Sequence, residues 1–474
     1  MLFDSFAFLI FLPTVFLLYW FAGRGNLRRR NLIIIASSYI FYGWWDWKFL
    51  FLIIFTTFCS YFSGIIIQQF LDRSKWKCRL TLWLSVAINI GILFTFKYFD
   101  FFALSFGKLL SAAGLTADIV TLNLILPVGI SFYTFQALSY TIDVYRRDIT
   151  ATHNPEAFMA FISFFPQLVA GPIERATNLL PQFQRLNSFD YTTALSGMKL
   201  ILWGLFKKMI IADNCAPVVD RIFANYESAG TLNLWIGAFL FTMQIYGDFS
   251  GYSDIAIGSA RLFNIKLMRN FDKPYFSRSM HEFWKKWHIS LTSWLRDYIY
   301  IPLGGNRKGR ARTAANVLAV FAISGLWHGA NFTYLFWGVY HGILQIPHIV
   351  SGKKNPPPRR NIIGSTFALG LTFILVLVGW VLFRAQDIFS AAEYVRLMFS
   401  PGNLSSEILG KTAFAWCVIF IIIEFITRKG ETPFEFKSGI MQQSCILRRS
   451  VYIAVFFITL VFAGQSEAFI YFQF

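Results

Sequence analysis

Two histidines stand where a titratable side chain has little solvent to meet. His328 lies in "GLWHGANF" (325–332), inside a run of residues 313–350 with no Lys, Arg, Asp or Glu. His288 lies in "SMHEFWKKWHISLTSWLRDYIY" (279–300), among tryptophans. Imidazole titrates near neutral pH and can take a proton from a hydroxyl group. In an apolar setting it costs free energy unless something uses it or hydrogen-bonds to it. Two carboxylates share this character. Asp248 and Asp254 in "QIYGDFSGYSDIAIG" interrupt the apolar stretch 232–260. Intramembrane acids face a polar cavity or a partner, and their first expected role is to orient neighbouring helices rather than to catalyse. His153, His281, His341 and His348 read as interfacial or packed.

A basic region adjoins both histidines. Residues 261–312 hold twelve Lys or Arg against Asp272, Glu282 and Asp297, half of the chain's net +18. Its last part, "IPLGGNRKGRAR" (301–312), is a Gly-containing turn. With Arg296, the side chains of Arg307, Lys308, Arg310 and Arg312 could hold an anionic ligand, assisted by backbone N–H groups. Lipid phosphate is an equal reading of the same charges. Asn331, three residues after His328, is a further polar group beside the site.

Much chemistry is excluded. There is no phosphate-binding loop, no dinucleotide fingerprint and no nucleophile elbow. "HEFWKKWH" spaces its histidines by seven residues, whereas a zinc-protease helix needs four. Cys59, Cys78, Cys215, Cys417 and Cys445 are scattered singly, which suggests neither a disulfide framework nor a thiolate metal site. No bound metal, permanent cofactor or nucleic-acid partner is expected. A pair of membrane histidines beside a basic surface suits acyl transfer: a histidine deprotonates a hydroxyl, which attacks an activated acyl group delivered from the cytoplasm. A transporter lining a proton or polymer path, and a scaffold anchoring a soluble transferase, are the alternatives.

These residues need membrane helices to position them. Of 474 residues, 56% are hydrophobic, 19% aromatic and only 14% charged, against about 25% charged in soluble proteins. Apolar runs such as 6–20, 49–70, 80–96 and 362–383 approach the length that crosses a hydrocarbon core. The first reads as an anchored span and not as a cleaved signal, since Asp4 precedes it and basic residues follow. Basic clusters at 24–30, 73–79, 353–360 and 428–449 mark cytoplasmic loops. Both termini are therefore expected on the periplasmic side, with an even number of crossings, ten or twelve. The expected class is an all-α polytopic integral membrane protein, a single domain over 1–474 with its motif-bearing core at about 126–350 and a C-terminal tail at 463–474.

Two local expectations bear on the histidines. In 279–300, a period of 100° per residue gathers Trp284, Trp287, His288, Leu291, Trp294, Leu295 and Tyr298 on one arc, which predicts a continuous amphipathic helix at the membrane interface or re-entrant into it. The run 313–350 would be about 57 Å long as one helix. That exceeds one crossing and predicts a break or a helix pair. Gly325 and Gly329, then Gly338 and Gly342, have the spacing for close helix packing, which puts His328 against protein rather than lipid.

Five stretches carry a family resemblance over nearly the whole chain: "LPVGISFYTFQALSYTIDVYRRD" (126–148), "FFPQLVAGPIER" (164–175), "DFSGYSDIAIG" (248–258), "FWKKWHISLTSWLRDYIYIPLGGNR" (283–307) and "LWHGANFTYLFWGVYHG" (326–342). The sequence resembles the membrane-bound O-acyltransferase superfamily, in the branch of bacterial alginate O-acetyltransferase membrane subunits. The resemblance implies a ring of membrane helices with re-entrant or interfacial pieces, a thinned centre and a tunnel. It implies His328 as the catalytic histidine and His288 as the second active-site residue. It implies acetyl-coenzyme A or another acyl thioester as donor and an esterase-like O-acetyltransferase partner in the periplasm of a bacterial inner membrane. The final acceptor would be an exported polysaccharide, whether alginate-like, cellulose or peptidoglycan. The tail "FIYFQF" (469–474) reads as an interfacial aromatic anchor by composition. It also resembles the C-terminal aromatic–Tyr–aromatic motif of such enzymes, which would make Tyr471 a transient acyl carrier.

Overall fold

The computed structural model describes residues 1–115, 118–352, 362–400, 408–435 and 444–470. Among these residues the regular structure is helical throughout, with no strand. Three helical stretches among the described residues are long and apolar enough to cross a membrane, namely Leu27–Phe70, Lys75–Ala112 and Ile362–Arg384, and a shorter apolar helix runs over Phe6–Ala22. Each of the four apolar runs marked in the sequence falls within one of these. The chain divides into two compact units, one comprising Met1–Met198 with Ala256–Met268, the other Lys199–Ile255 with Arg269–Phe474.

In the first unit, the helix Ile130–Arg146 is buried on almost every side, its polar residues Ser131, Thr134, Gln136, Ser139, Thr141 and Asp143 included. It starts after Gly129 and ends at Arg147, both at positive φ. The helix Leu50–Phe70 lies hard against it. A Cβ on Gly64 would sit 2.5 Å from the Tyr140 ring, so only glycine admits this approach. Buried Glu174 accepts hydrogen bonds from Asn178 Nδ2 at 2.7 Å and from the Met268 amide, which ties residues 266–268 to 174–182. Three residues of the first basic cluster, Arg28, Arg29 and Arg30, lie in the helix Leu27–Asp46 and not in a loop. Arg30 is buried, donates to the Gly23 and Asn187 carbonyls, and stacks 4.7 Å from the Trp20 ring.

The second unit contains both histidines. The helix Tyr191–Phe206 enters it at Lys199 and continues through a π-helical turn, Lys207–Ala212, into Asp213–Ala224. The long helix Thr231–Leu262 lies in this unit as far as Ile255. The two cross at a pair of glycines. A Cβ on Gly204 would meet the Gly251 carbonyl oxygen at 2.6 Å, and one on Gly251 would meet that of Gly204 at 2.8 Å. The run 313–350 is broken as its length demanded, into Gly309–His328, Phe332–Ile343 and Ile346–Ser351. The first two form a tight hairpin: Cβ atoms on Gly325 and Gly338 would come within 2.1 and 2.2 Å of the Tyr334 and Phe321 carbonyl oxygens.

The segment 279–300 departs from expectation. It is not one amphipathic helix but two short ones, Met280–Lys286 and Ile289–Leu295, followed by a π turn over Arg296–Tyr300. Trp287 is extended, and His288 adopts the left-handed region at φ 42° and ψ 55°. The break has a physical cause in residues 270–272. The Asp272 amide donates to the Lys286 carbonyl at 3.0 Å, and the Ile289 amide donates to the Asn270 carbonyl at 2.9 Å. The Asn270 side chain accepts from Ser290 Oγ at 2.6 Å and donates to Ser253 Oγ at 3.0 Å. Backbone groups that one helix would pair internally are taken by this crossing strand of chain. Most of the predicted arc survives nonetheless, since Trp284, Trp287, His288, Leu291, Trp294 and Leu295 are all buried.

Candidate active site

His288 owes its place to that break. It is 1% exposed, and its ring meets the edge of Phe249 at 4.7 Å and Trp327 at 5.8 Å. Neither of its ring nitrogens has a hydrogen-bond partner among the described residues. A non-glycine residue in the left-handed region costs about 1–3 kcal/mol, a strain that concentrates at functional sites. Buried nitrogens with no partner among the described residues, on a residue in the left-handed region, make His288 a candidate functional group.

His328 is the last residue of its helix. Gly329 follows in extended conformation, and Asn331 starts the next helix by accepting from the Thr333 amide at 3.1 Å. The other end of Asn331, Nδ2, donates to the Gln386 carbonyl at 3.1 Å. So Asn331 caps and fastens the turn that holds His328. The His328 ring is buried between Trp327 at 5.0 Å, Trp337 at 5.1 Å and Phe383 at 5.3 Å. The indole of Trp327 thus meets both histidines, and Trp337 leads from His328 to His341 at 5.0 Å. His341 is fully buried, with no hydrogen-bond partner for either ring nitrogen among the described residues. Imidazoles and indoles alternate through this interior.

Asp248 and Asp254 each meet a lysine that sequence reasoning passed over. Lys207 Nζ lies 2.7 Å from Asp254 Oδ2. Lys208 Nζ lies 2.7 Å from Asp213 Oδ1 and 3.0 Å from Asp248 Oδ1. The Gly204–Gly251 crossing brings these groups together, and the π turn sends successive lysines to different carboxylates. The signal was present in "LILWGLFKKMII" (200–211), two cations inside an apolar run.

The same group holds the C-terminal segment. Lys208 Nζ donates to the Glu467 carbonyl at 2.8 Å, and the Ile470 amide donates to Asp248 Oδ2 at 2.6 Å. Phe469, 1% exposed, packs 4.6 Å from the Tyr252 ring and 6.1 Å from Phe249, the ring that touches His288. Tyr471 lies outside the described residues, as do Lys353 to Arg360.

The basic turn is exposed. Arg307, Lys308, Arg310 and Arg312 all face solvent or lipid. Among the described residues only Arg296 of the five meets a carboxylate, Asp297 at 2.7 Å. Gly304, Gly305 and Gly309 take positive φ, and Asn316 Nδ2 donates to the Gly305 carbonyl at 2.9 Å. The amides of Leu303, Gly304, Gly305 and Arg307 already donate to backbone carbonyls. That narrows the expectation of a backbone cradle: at those positions the side chains, not the amides, are left to meet an anion.

Comparison with known proteins identifies the family. The family model of MBOAT, the membrane-bound O-acyltransferase family, matches residues 39–358. This chain belongs to that family. It is an acyltransferase whose helices are built for the membrane. The match spans both histidines and ends before the C-terminal segment. Probable alginate O-acetylase AlgI of Pseudomonas putida is 42% identical over 90% of this chain and 86% of its own length. The peptidoglycan O-acetyltransferase of Helicobacter pylori is 32% identical over 98% of this chain and 95% of its own. The teichoic acid D-alanyltransferase of Streptococcus thermophilus is 31% identical over 46% of this chain and 55% of its own. Relatives named for different acceptors share the acyl-transfer framework.

Proposed function

We propose that this chain is an O-acetyltransferase of a bacterial inner membrane, with both units acting as one domain over 1–474. It passes acetyl groups from a cytoplasmic thioester, acetyl-coenzyme A or an acyl-carrier thioester, to the periplasmic side for O-acetylation of an exported polysaccharide. The observation that carries this reading is the placement of two buried histidines around Trp327, with Phe469 of the C-terminal segment one ring away from His288. A hydroxyl entering this interior loses its proton to His328 as its oxygen attacks the thioester carbonyl. The C–S bond breaks, and the proton passes to the leaving thiolate. His288 serves the same reaction as the second active-site residue.

The first acceptor in this scheme is the Tyr471 hydroxyl. It forms a phenyl ester, which an esterase-like periplasmic partner then relays to the polymer. Phenol has a pKa near 10 and needs such a base to react. Arg307, Lys308, Arg310 and Arg312, with Arg296, collect the donor's phosphates on the cytoplasmic side. Both termini lie in the periplasm. The ring of helices, the thinned centre and the tunnel belong to this proposal.

Replacing His328 tests it. His328→Ala should lower polymer acetylation by about 10²–10⁴-fold, the usual worth of a general base, with the protein inserted and accumulated as in the parent. Parental acetylation in a well-expressed His328→Ala strain removes the assignment. A transporter reading would instead predict altered polymer export with acetylation chemistry intact.

A further inference from the structure

The C-terminal segment is held in an unusual way. Its contacts with the lysine group are made through its backbone. Phe462 gives its carbonyl to Asn214 Nδ2 at 3.0 Å, and Gly464 gives its amide to the Met209 carbonyl at 2.9 Å. Glu467 gives its carbonyl to Lys208 Nζ at 2.8 Å, and Ile470 gives its amide to Asp248 Oδ2 at 2.6 Å. Gly464 has to be glycine, because a Cβ there would stand 2.7 Å from the carbonyl carbon of Asp213. Asp213 is in turn the second carboxylate of Lys208. Lys208, Asp213 and Asp248 are each at least nine-tenths buried.

Two carboxylates around one ammonium, taken out of water, cost more in desolvation than a well-packed apolar group of the same size. Helix packing alone does not call for such a group at the Gly204–Gly251 crossing. What it supplies is one strong donor and one strong acceptor, aimed at a carbonyl and an amide three residues apart in the C-terminal segment. Those two bonds fix the register of the tail. With Ile470 anchored on Asp248, Phe469 sits against Tyr252 and Phe249, and Phe249 touches His288.

We propose that Lys208, Asp213 and Asp248 form a backbone clamp that sets the register of the C-terminal segment through Ile470 and so holds Phe469 against Tyr252 and Phe249, the ring beside His288. They are positioning residues for acyl transfer and touch no substrate. This rests on the reading of Tyr471 as first acceptor, but the clamp itself is tested independently of it.

The experiment uses the full-length chain in detergent or nanodiscs. Lys208→Met alone would strand two buried carboxylates and could fail to fold. The principal variant is therefore K208M/D213L/D248L, which removes the clamp and leaves no unpaired charge. Hydrogen–deuterium exchange is read over residues 463–470 and, as control, over the Gly309–His328 helix. Loss of two charge-assisted hydrogen bonds should speed exchange in the tail by more than about tenfold, with the control helix unchanged. Acetyl-coenzyme A affinity should stay at the parental value while the turnover number for polymer acetylation falls about tenfold or more. Lys208→Arg, which keeps a buried cation in reach of both carboxylates, should restore part of the turnover. Unchanged tail exchange in the triple variant overturns the clamp. Faster tail exchange with parental turnover overturns its role in positioning. Tyr471→Phe separates the two ideas: if it acetylates like the parent, the carrier reading fails, while the exchange data still decide the clamp.

Discussion

The exposed turn 301–312 and the lysine step 207–208 carry the same charge under opposite conditions. In the turn, Arg307, Lys308, Arg310 and Arg312 stand exposed, with no carboxylate within 4 Å among the described residues. At the step, Lys207 and Lys208 are buried and each meets carboxylates at 2.7–3.0 Å. The turn is conspicuous in the sequence and its charges cluster. The step is two letters in an apolar run. Exposed cations act at a distance, weakly, and are screened by salt. Buried ones act only on what they touch, and are costly to strand. Cluster size in a sequence therefore says little about the energy at stake.

Three measurements would sharpen or break this contrast. The largest effect is expected from Lys208→Met, which leaves Asp213 and Asp248 buried without their cation. It should cost about 3–5 kcal/mol of stability in detergent unfolding, and K208M/D213L/D248L should recover most of that loss. A Lys208→Met protein as stable as its parent would show that water reaches the pair.

An intermediate effect is expected from Gly251→Ala. Its Cβ would approach the Gly204 carbonyl oxygen at 2.8 Å and the Lys208 amide at 3.1 Å. Overpacking of this kind costs about 1–3 kcal/mol, and it should loosen the C-terminal segment without any charge being changed. If protease access to the tail stays parental in this variant, the glycine crossing does not control the lysine step.

The smallest effect on stability is expected at the turn. R307Q/K308Q/R310Q/R312Q should unfold within about 0.5 kcal/mol of the parent. Its acetyl-coenzyme A affinity should fall about tenfold at low ionic strength, and the gap should narrow as salt is added. Arg296→Gln should change less, because Asp297 already neutralises Arg296 in part. Parental donor affinity in the fourfold variant assigns the turn to lipid phosphate.

The regions differ also in how they could be read. The break in 313–350 was legible because a helix of that length overshoots a bilayer, and the glycines at 325 and 338 were legible because small residues mark close packing. The break at Trp287–His288 was not. Local periodicity described both sides of it correctly, and most of the arc it predicted is buried. The cause is Asn270 and Asp272, some 15 residues upstream, whose backbone captures the groups that would have continued the helix. Cys215 and Cys417, scattered singly in the sequence, have sulfur atoms 3.4 Å apart in the buried interior.

Composition and periodicity by themselves determined that this chain is helical and belongs in a membrane. Both follow from averages over twenty residues, which survive any tertiary arrangement. The motifs determined the family and singled out His288 and His328, because few chemistries need a histidine in so apolar a setting. Tertiary structure alone decided which charges meet, that His288 sits strained at a break, and that residues 464–470 lie against the lysine step. Those are contacts between residues up to 259 apart in the chain. A close pair such as Gly204 and Gly251 creates them only once two helices have crossed, and no local property of either segment contains that crossing.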